Sequence, residues 1–447
     1  MWSPRASSRT GNVALALGSA ILTEVSIERL SKSGQGVGRY QGRSLFVEGA
    51  LPGERVKVEI AAGSKVLRGR LVEVLSPSKS RRPSVCPLSD RCGGCDWLHL
   101  DEAAQREAKL EIVLSSLEHL AGIARTDFQV LPMRACKKQM GYRRRAVMHP
   151  HAGQLCLHGR HSHELVPIQS CPALAPRLSA LPGALGEKLS RLKDAKAVHL
   201  LASDESASFA VFLKGPIRPS SLEVCERAVK ELKLSGAVVV PEDGPARIIG
   251  EPSLPDHLGL PDIPDAEPLW IRPDSFAQAS SEANAHLRAT TVELLAARPE
   301  ERILELYCGN GNLTFPIAAS GAEVLAVESS GASLELARRR KGVAPGRVRF
   351  IQGEVGRVGE ALVSEGAAFD AMVADPPRSG APGIGSLAQR LHCGRVVYVS
   401  CDPATLARDA QSLRASGFAP QALQLIDMFP QTRHVEAVLA FARQATP

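Results

Sequence analysis

Strand-like and helix-like segments alternate from about residue 269 to the end of the chain. Each predicted strand is a short apolar run, and the runs in order are ERILELYC, EVLAVES, RVRFIQG, FDAMVADPP and RVVYVSC. Strands that alternate with helices are joined by right-handed crossovers, which makes the sheet parallel and doubly wound. In such sheets, ligands bind where the strands end. The pattern therefore predicts an α/β domain over residues 266–447, with a binding site along one edge of its sheet.

The chain before this domain divides into three parts. Short β-type runs between glycine turns predict an all-β unit over residues 21–76, a small five-stranded barrel. After the basic linker PSKSRRP, mixed strands and helices predict a multidomain protein with a central α+β domain over residues 77–265. Residues 101–122 predict a helix that can pack on the C-terminal domain. Residues 1–20 only weakly resemble a signal peptide, so we expect a disordered tail there.

The composition is that of a globular protein and suits an acidic partner. The 447 residues include 54 Lys and Arg against 47 Asp and Glu, a formal net charge of +7 that fits a polyanion. No apolar run approaches the ~20 residues that a membrane helix needs. The ten cysteines cluster along the chain, which favours metal binding or catalysis over disulfides. We therefore expect a cytoplasmic monomer that does not bind membranes.

A glycine turn between the first strand and its helix predicts a nucleotide-type site. In ILELYCGNGNLTFPIA, Gly309 and Gly311 would let a ligand approach the backbone at a helix N-terminus. The next strand ends on Glu328, which can accept hydrogen bonds from a ribose, and the third turn carries Glu354. The loop lacks GxGxxG and no P-loop lysine follows, which argues against dinucleotides and nucleoside triphosphates. S-adenosylmethionine fits better; a tight turn beside a solvated glutamate is the alternative.

Two further motifs lie at the same predicted edge. DPPR, residues 375–378, follows the fourth strand, and Arg378 can contact a phosphate or a base edge. Cys401 ends the fifth strand in VVYVSCDPATLARD, and it could be a packing residue, a metal ligand or a nucleophile. Its position at the edge favours the nucleophile. DNA amino-methyltransferases have a similar loop, but they need an aromatic residue that is Arg378 here.

A thiol at this edge suits methylation of carbon 5 of uracil, a carbon too weakly nucleophilic to take a methyl group directly. If a thiolate adds to carbon 6, carbon 5 becomes nucleophilic, and a base must then remove its proton so that the thiol can leave. The chemistry therefore needs one cysteine and one base. Glu436 opens an apolar strand after the polar turn of LQLIDMFPQTRHVEAVLAF and is the candidate base. His434 is a rival, and a surface glutamate is the other interpretation.

The segment from Phe276 onward resembles the RNA uracil-5-methyltransferase family. The matching motifs, in the family's order, are SFAQ, ELYCGNGN, VES, DPPR, SCDPATLARD and DMFPQTRHVE. The resemblance implies a Rossmann-like class I methyltransferase fold, with Cys401 as the nucleophile and Glu436 as the proton acceptor. It also implies cofactor contacts from Gln278, Tyr307, Asn312, Glu328, Glu354 and Asp375. The family often has Asp or Asn where this chain has Glu354, and ASS after Gln278 departs from the usual VN.

Three close cysteines in CPLSDRCGGCDWLHL are one thiolate short of a tetrathiolate site. They are Cys86, Cys92 and Cys95. Cys171 is the best fourth candidate because it follows a strand and precedes a proline, whereas Cys136 sits in a basic loop and Cys156 within a strand. Four thiolates serve zinc or an iron–sulfur cluster equally well. The spacing resembles that of the [4Fe-4S] cysteines in the ribosomal-RNA branch of the same family, which implies such a cluster in a structural or RNA-positioning role.

The N-terminal barrel resembles the TRAM module, an OB-like RNA-binding fold, through GQGVGR and LPGERVKVEI. Because it has few aromatic residues, we expect backbone contacts from Arg39, Arg43 and Lys57. In GYRRRA, residues 143–145 add three arginines, of which one or two could meet phosphate.

The leading hypothesis is S-adenosylmethionine-dependent methylation of carbon 5 of a specific uridine in structured RNA. The cysteine cluster and the barrel favour 23S ribosomal RNA, and transfer RNA is the alternative within the class. The target base must leave its stack to reach Cys401. A catalytically idle RNA-binding or ribosome-assembly protein is the alternative from another class, and the intact Cys401 and Glu436 argue against it.

Overall fold

The computed structural model describes residues 21–60, 65–160, 162–259, 268–340 and 347–444. The predicted tail at residues 1–20 lies outside these ranges. The chain forms two compact units, one of residues up to 83 with 99–101, and one of residues 84–98 with 102 onward. Within the described ranges, none of the helices has the length and apolarity to cross a membrane.

The first unit is a closed five-stranded barrel, as predicted. Its strands are β1 (Ile21–Leu30), β2 (Gly36–Tyr40), β3 (Arg43–Val47), β4 (Arg55–Ile60) and β5 (Leu67–Ser76), paired in the order β1-β2-β3-β5-β4. Alternate residues point inward, so that Val25, Leu45 and Val58 are buried in the barrel. Where β2 lies against β1, a Cβ atom on Gly38 would collide with Val25 and the Ser26 carbonyl, so only glycine fits.

A helix and a short strand come first in the second unit. They are α1 (Glu102–Ala121) and β6 (Gln129–Val130). The negative charge of Glu102 suits the helix N-terminus, and the helix ends before Gly122, whose φ of 63° is left-handed. Val113 and Leu117 form part of its buried face.

A seven-stranded sheet with helices packed against it follows. Its elements are β7 (Arg145–His151), β8 (Gln154–His158), β9 (Leu165–Pro167), α2 (Pro176–Ser179), α3 (Leu181–Leu189), β10 (Ala195–Ala202), β11 (Ala207–Leu213), α4 (Pro219–Glu231), β12 (Gly236–Val240) and β13 (Arg247–Gly250). The strands lie in the order β13-β12-β11-β10-β7-β8-β9. Leu185 of α3 and Ala228 of α4 share one core with Val198 and Phe209. An antiparallel pair comes next, β14 (Leu254–Asp256) with β15 (Leu269–Ile271).

An eight-stranded sheet completes the unit. Its remaining elements are α5 (Ser281–Leu295), β16 (Arg302–Leu306), α6 (Thr314–Ala318), β17 (Glu323–Glu328), α7 (Gly331–Arg339), β18 (Val348–Gln352), α8 (Val355–Ser364), β19 (Ala371–Ala374), α9 (Ile384–Arg390), β20 (Arg395–Ser400), α10 (Pro403–Ala415), β21 (Phe418–Ile426) and β22 (Glu436–Arg443). The order is β18-β17-β16-β19-β20-β22-β21-β6. Strands β16 to β20 are parallel, which confirms the predicted doubly wound sheet. Strand β22 runs antiparallel between β20 and β21.

Helices cover both faces of this sheet. Val113 and Leu117 of α1 share one core with Leu406 of α10, and Leu287 of α5 shares another with Leu334 of α7. Alternate residues of β20 belong to the two cores, so the cores lie on opposite faces. Strand β6 pairs in parallel with β21, which makes this early segment an integral part of the sheet.

The register brings the ends of the parallel strands into line. Leu306 pairs with both Val327 and Ala374, and Ala374 pairs with Tyr398 two residues before the end of β20. The residues at these strand ends therefore lie along one edge: Glu328 closes β17, and Tyr307, Asp375 and Cys401 directly follow their strands. Because Ser400 pairs with Ala437, Glu436 at the start of β22 lies at the same edge.

Candidate active site

The glycine turn after β16 is held against the end of β17. The Gly309 N–H donates to Glu328 Oε2 (3.1 Å), and Glu328 Oε1 accepts from the Ser330 N–H (2.7 Å). The turn is left-handed at three residues, with φ of 64° at Tyr307, 58° at Gly309 and 87° at Gly311. The structure thus brings the two glycines and Glu328 together in a turn whose backbone a ligand can approach.

Asn312 follows this turn and is bound by the protein itself. Its Oδ1 accepts from Asn284 and Arg288 (2.9 Å each), and its Nδ2 donates to Asn284 Oδ1 (2.9 Å). The fully buried Arg288 pairs with Asp256 (2.8 Å), which Arg144 also binds through both oxygens. Burial alone would raise the pKa of Asp256, but the two guanidinium groups outweigh it and hold that pKa at about 2. Sequence reasoning missed this network. It anchors the glycine turn through the side chain of Asn312.

The remaining cofactor candidates lie at the same edge or beside it. Gln278 is buried, and its carbonyl accepts from Arg144 Nε (2.9 Å). Glu354 immediately precedes α8 and makes no side-chain cap to that helix. Burial, followed by the negative charges of Asp409 and Glu354, raises the pKa of Tyr307. Tyr307 and Glu354 therefore lie within electrostatic reach of each other.

Three carboxyl groups lie at or near the edge: Glu305 and Glu436 are buried, and Asp375 is half-buried. Burial raises the pKa of Asp375 to about 7. Burial, and then the charge of Asp375, raises the pKa of Glu436 well above its ordinary range, although Arg378 opposes this effect. Burial also raises the pKa of Glu305 to about 8, and Glu305 Oε2 has no hydrogen-bond partner among the described residues. Sequence reasoning missed Glu305; the signal was a carboxylate within an otherwise apolar strand.

Cys401 lies among these charges. Burial and then the negative charge of Glu436 raise the pKa of its thiol to about 12; Arg378 opposes this shift and Asp375 adds to it. The thiol is nevertheless partly exposed. Because charge interactions weaken with distance, these effects gather Cys401, Glu436, Asp375 and Arg378 into one site. A neutral thiol beside carboxyl groups can lose its proton to them as the sulfur attacks.

The DPPR loop, residues 375–381, is held by the helix that follows Cys401. Asp409 Oδ2 accepts from the Ala381 N–H (2.7 Å) and from the Tyr398 hydroxyl, and Arg408 donates to the Ser379 carbonyl (2.8 Å). Gly380 is left-handed, with φ of 73°, and a Cβ atom there would collide with Arg408 and Asp409. These contacts fix the loop that carries Arg378.

The β21–β22 loop, residues 427–435, is held by distant parts of the chain. Lys109 of α1 pairs with Asp427 (2.6 Å) and donates to the Phe429 carbonyl (3.0 Å), and both charged side chains of the pair are fully buried. The Tyr142 hydroxyl donates to the Pro430 carbonyl (3.0 Å). These contacts fix the loop that leads into Glu436.

His434 lies in the β21–β22 loop as a neutral imidazole. Burial, followed by the positive charges of Arg433 and Arg378, lowers the pKa of His434 to about 4. An imidazole with such a low pKa is a weak base, whereas the pKa of Glu436 is raised. The charges at this edge therefore favour Glu436 over His434 as the stronger proton acceptor.

The structure brings the four predicted ligand cysteines to one cavity of about 490 Å³, which Gln278 and Arg378 also line. They are Cys86, Cys92, Cys95 and Cys171. Burial raises the pKa of Cys95 to about 12, and the charges of the other three thiols act in the same direction. The Gly94 N–H donates to Cys92 Sγ (3.4 Å). Thiols that repel one another's charge need a cation or a cluster to become thiolates together.

Another group of possible ligands lies elsewhere. The ligand atoms of Cys136, Glu282 and His286 lie within 4.8 Å of one another. Burial raises the pKa of Cys136, and the positive charge of Lys109 acts on the same thiol, as Arg134 acts on His286.

The arginines and the lysine that we predicted to contact RNA differ in their exposure to solvent. In the barrel, Arg39 and Arg43 are exposed and Lys57 is half-buried. In the run 143–145, Arg144 is buried on Asp256 and cannot meet phosphate, because its guanidinium is fully used by the protein. The half-buried Arg143 and Arg145 line the cavity with the cysteines, and Arg145 lies 5.7 Å from the ring centre of the exposed Phe276.

Comparison with known proteins agrees with this geometry. The TRAM domain family model matches residues 23–72, and the tRNA (Uracil-5-)-methyltransferase model matches residues 270–351 and 357–444. A 23S rRNA (uracil(1939)-C(5))-methyltransferase RlmD of Alkalilimnicola ehrlichii is 33% identical over 94% of this chain and 97% of its own length. The enzyme of the same name from Pseudomonas fluorescens is 33% identical over 93% of this chain and 91% of its own length.

A solved structure shows the same fold. The Pyrococcus abyssi tRNA (uracil-54, C5)-methyltransferase, in complex with S-adenosyl-L-homocysteine, is 22% identical, with a TM-score of 0.68 over 94% of this chain and 100% of that one. This agreement confirms the class I methyltransferase architecture that the alternating strands predict. With a third of its residues identical to the curated relatives over nearly its whole length, the chain belongs to the RNA uracil-5-methyltransferase family.

Proposed function

We propose that this protein transfers a methyl group from S-adenosylmethionine to carbon 5 of a uridine in 23S ribosomal RNA. The observation that carries the proposal is the meeting of Cys401 and Glu436 at the edge that also holds the glycine turn. The substrate rests on the relatives, which are enzymes of 23S ribosomal RNA. The barrel, which matches the TRAM family model, supplies exposed arginines suited to RNA phosphates.

The cofactor site that we propose is built around the glycine turn. S-adenosylmethionine supplies an electrophilic methyl group when bound. The approachable backbone at Gly309 and Gly311 and the carboxylate of Glu328 suit its ribose, and Asp375 lies at the neighbouring strand end. We propose Gln278, Tyr307 and Glu354 as further contacts. Asn312 makes its contribution by anchoring the turn, because its side-chain amide is already bound to Asn284 and Arg288.

Cys401 is the nucleophile in this mechanism. Since burial keeps its thiol neutral, addition requires loss of the thiol proton. The carboxylate of Asp375, whose charge acts on this thiol, accepts that proton, so that Glu436 stays unprotonated for the later step. The Cys401 Sγ–carbon 6 bond forms, and the electron pair of the carbon 5–carbon 6 double bond moves towards O4 as an enolate. Carbon 5 then takes the methyl group, and the electron pair of the broken sulfur–methyl bond stays on the sulfur of S-adenosylhomocysteine, which leaves. Arg378 carries the positive charge at this site and lowers the pKa of Cys401.

Glu436 is the base for the second half of the reaction. It takes the proton from carbon 5, the electron pair of that C–H bond re-forms the double bond, and the Cys401 sulfur leaves from carbon 6. The raised pKa of Glu436 suits this step, because a carboxylate that binds protons tightly removes them better. His434, with its pKa lowered to about 4, is the weaker base.

We propose a [4Fe-4S] cluster on Cys86, Cys92, Cys95 and Cys171. Zinc would hold four sulfurs about 3.8 Å apart, since each Zn–S bond is about 2.3 Å. The three-ligand group within 4.8 Å in the described ranges includes none of these cysteines, so no three of their sulfurs lie as close together as a zinc ion requires. A backbone N–H that donates to Cys92 Sγ is also typical of iron–sulfur sites. Colourless protein that contains zinc after anaerobic purification would contradict this assignment.

The test of the function is methyl transfer from labelled S-adenosylmethionine to 23S ribosomal RNA taken from cells that lack this gene. We expect one labelled product, 5-methyluridine, with the wild-type protein and none with Cys401→Ala. Cys225→Ala, which removes a buried thiol far from the edge, is the matched control and should keep full activity. Equal labelling by wild type and Cys401→Ala would reject the mechanism, and labelling of transfer RNA alone would reject the substrate.

A further inference from the structure

The segment that carries three of the cysteines is tied directly to the β21–β22 loop. We call residues 86–98 the cysteine loop. Arg433 donates to Asp96, the residue after Cys95, with Nη1 and Oδ2 2.9 Å apart and both side chains largely buried. The Trp97 N–H donates to the Gln431 carbonyl (2.9 Å), and the Trp97 side chain is completely buried. The two loops are therefore joined by one charged and one backbone contact.

A buried glutamine of α1 closes the same junction. Gln105 Nε2 donates to both the Trp97 carbonyl and Gln431 Oε1 (3.0 Å each), and Gln105 Oε1 accepts from the Gln431 N–H (2.9 Å). Gln431 is left-handed, with φ of 67°, a backbone conformation that non-glycine residues keep only when neighbours enforce it. The cysteine loop and α1 supply those neighbours.

The cysteine loop has little regular structure of its own. It contains no helix or named strand, and its internal backbone bonds are short turns such as Cys92 N–H to the Leu88 carbonyl (2.8 Å). Contacts with the segment that follows β8 also hold it, such as Gly93 N–H to the His158 carbonyl (3.0 Å) and Arg160 to the Cys95 carbonyl (2.8 Å). Ligation of its thiols would add a constraint at Cys95 itself. Since Asp96 and Trp97 directly follow Cys95, fixing that thiol also fixes the two residues that contact the β21–β22 loop.

We propose that the cysteine loop is a positioning element for Glu436, so that loss of its metal centre impairs proton removal from carbon 5 and leaves addition of Cys401 intact. The inference rests on the proposed function. Glu436 is the first residue of β22, so the pairing of β22 with β20 and β21 fixes the chain that follows it. The β21–β22 loop fixes the chain that precedes it. Cys401 directly follows β20 and makes no hydrogen bond to the cysteine loop in the described contacts, and Arg378, which acts on its thiol, is held by the DPPR loop.

The order of the bonds made and broken separates the two roles. Sulfur adds before the methyl group moves, and the carbon 5 proton leaves afterwards. A protein with a displaced Glu436 should therefore accumulate the covalent Cys401–RNA adduct, methylated at carbon 5, while its turnover falls. A cysteine loop that served only to bind RNA would instead raise KM and lower the amount of adduct.

The experiment compares Asp96→Ala and Arg433→Gln with wild type in anaerobically purified, cluster-loaded protein. Since a small misplacement of a catalytic group can cost about a hundredfold, we expect kcat to fall about ten- to a hundredfold, KM to stay within about twofold, and adduct on uridine RNA to rise. The double variant should be no worse than either single one, because both remove the same contact. Arg91→Gln is the matched control, since Arg91 lies in the cysteine loop but pairs with the exposed Glu164 (3.0 Å).

Two further measurements keep the inference separate from the proposed function. With RNA that contains 5-fluorouridine, no proton can leave carbon 5, so wild type and Asp96→Ala should form the adduct equally. Failure of both to form it would reject the proposed function. In a hydrogen-exchange experiment, removal of the cluster should speed exchange at the backbone amides of residues 428–435, whereas the amides of β20 should stay protected. Unchanged exchange there, or variants with wild-type kcat, would overturn the positioning role.

Discussion

Two loops meet at the catalytic edge, and they are held in different ways. The DPPR loop is bound by Tyr398 and Asp409, which lie 17 and 28 residues from their partner Ala381 in the chain. The β21–β22 loop is bound by residues about 300 positions away, with separations of 326 for Gln105 and 318 for Lys109. One loop is therefore positioned from within the α/β fold, and the other by segments that precede it.

The difference assigns separate supports to the two halves of the proposed reaction. The DPPR loop carries Asp375 and Arg378, whose charges act on the Cys401 thiol. The β21–β22 loop leads into Glu436, the proposed base. Damage to one support should therefore disturb one half of the reaction more than the other, which makes the comparison testable.

Loss of Lys109 should have the largest effect. In Lys109→Met the buried carboxylate of Asp427 loses its cation, and removal of one partner of a buried pair costs about 3–5 kcal/mol. We expect the free energy of unfolding, measured with urea, to fall by that amount. The double variant Lys109→Met/Asp427→Leu should recover most of the loss, because no charge is then left buried. A single variant as stable as wild type would mean that the β21–β22 loop does not depend on α1.

These remote supports explain what could not be predicted from the sequence. Gln105 and Lys109 lie one turn apart on α1, where polar residues ordinarily indicate a solvent-exposed face, yet both are buried by the β21–β22 loop. Arg144 lies in a basic run typical of an RNA-contacting segment, but its guanidinium is buried on Asp256. In each case the partner is distant in sequence, so no local pattern reveals it.

The position of the DPPR loop could be predicted because it depends on residues that are close in sequence. Strands that alternate with helices fix the parallel sheet, and a parallel sheet places every strand end at one edge. Asp375, Cys401 and Glu328 each follow or close a strand, so their common location follows from the alternation. Glu436 was placed correctly at the start of β22, but the antiparallel insertion of β22 between β20 and β21 was not predicted.

Asp409→Asn should destabilise the DPPR loop, with a smaller loss of free energy than Lys109→Met. An amide nitrogen in place of one oxygen cannot accept hydrogen bonds, so one donor among Ala381, Tyr398 and Arg408 loses its partner, at about 1–3 kcal/mol. The released loop should also move Arg378 away from Cys401. Because Arg378 lowers the pKa of Cys401, alkylation of this thiol should shift to higher pH.

The alkylation profile distinguishes positioning from general destabilisation. Glu360→Gln is the matched control, since it also replaces a carboxylate by an amide, but its partner is the exposed Arg390 and both bonds from the Ala381 N–H stay in place. We expect its alkylation profile to match wild type. An Asp409→Asn profile that also matches wild type would show that Arg378 does not depend on this support.

Glu305→Gln should change the pH dependence of the free energy of unfolding, and it tests whether Glu305 stays protonated in the folded protein. Burial raises the pKa of Glu305 from 4.5 to about 8, so the folded protein keeps a proton that the unfolded chain has released within this range. Below pH 4.5 Glu305 is protonated in both states, and its contribution to the free energy of unfolding is at its most favourable. That free energy falls as pH rises from 4.5 towards 8, by about 1.4 kcal/mol per pH unit. The variant should lose that part of the slope in urea titrations between pH 5 and 8. Asp375 and Glu436, whose pKa values are also raised by burial, should contribute to the slope that remains. Glu335→Gln replaces an exposed carboxylate of α7 and is the control, which should leave the slope of stability against pH unchanged. Equal slopes in wild type and Glu305→Gln would mean that Glu305 is ionised in the folded protein.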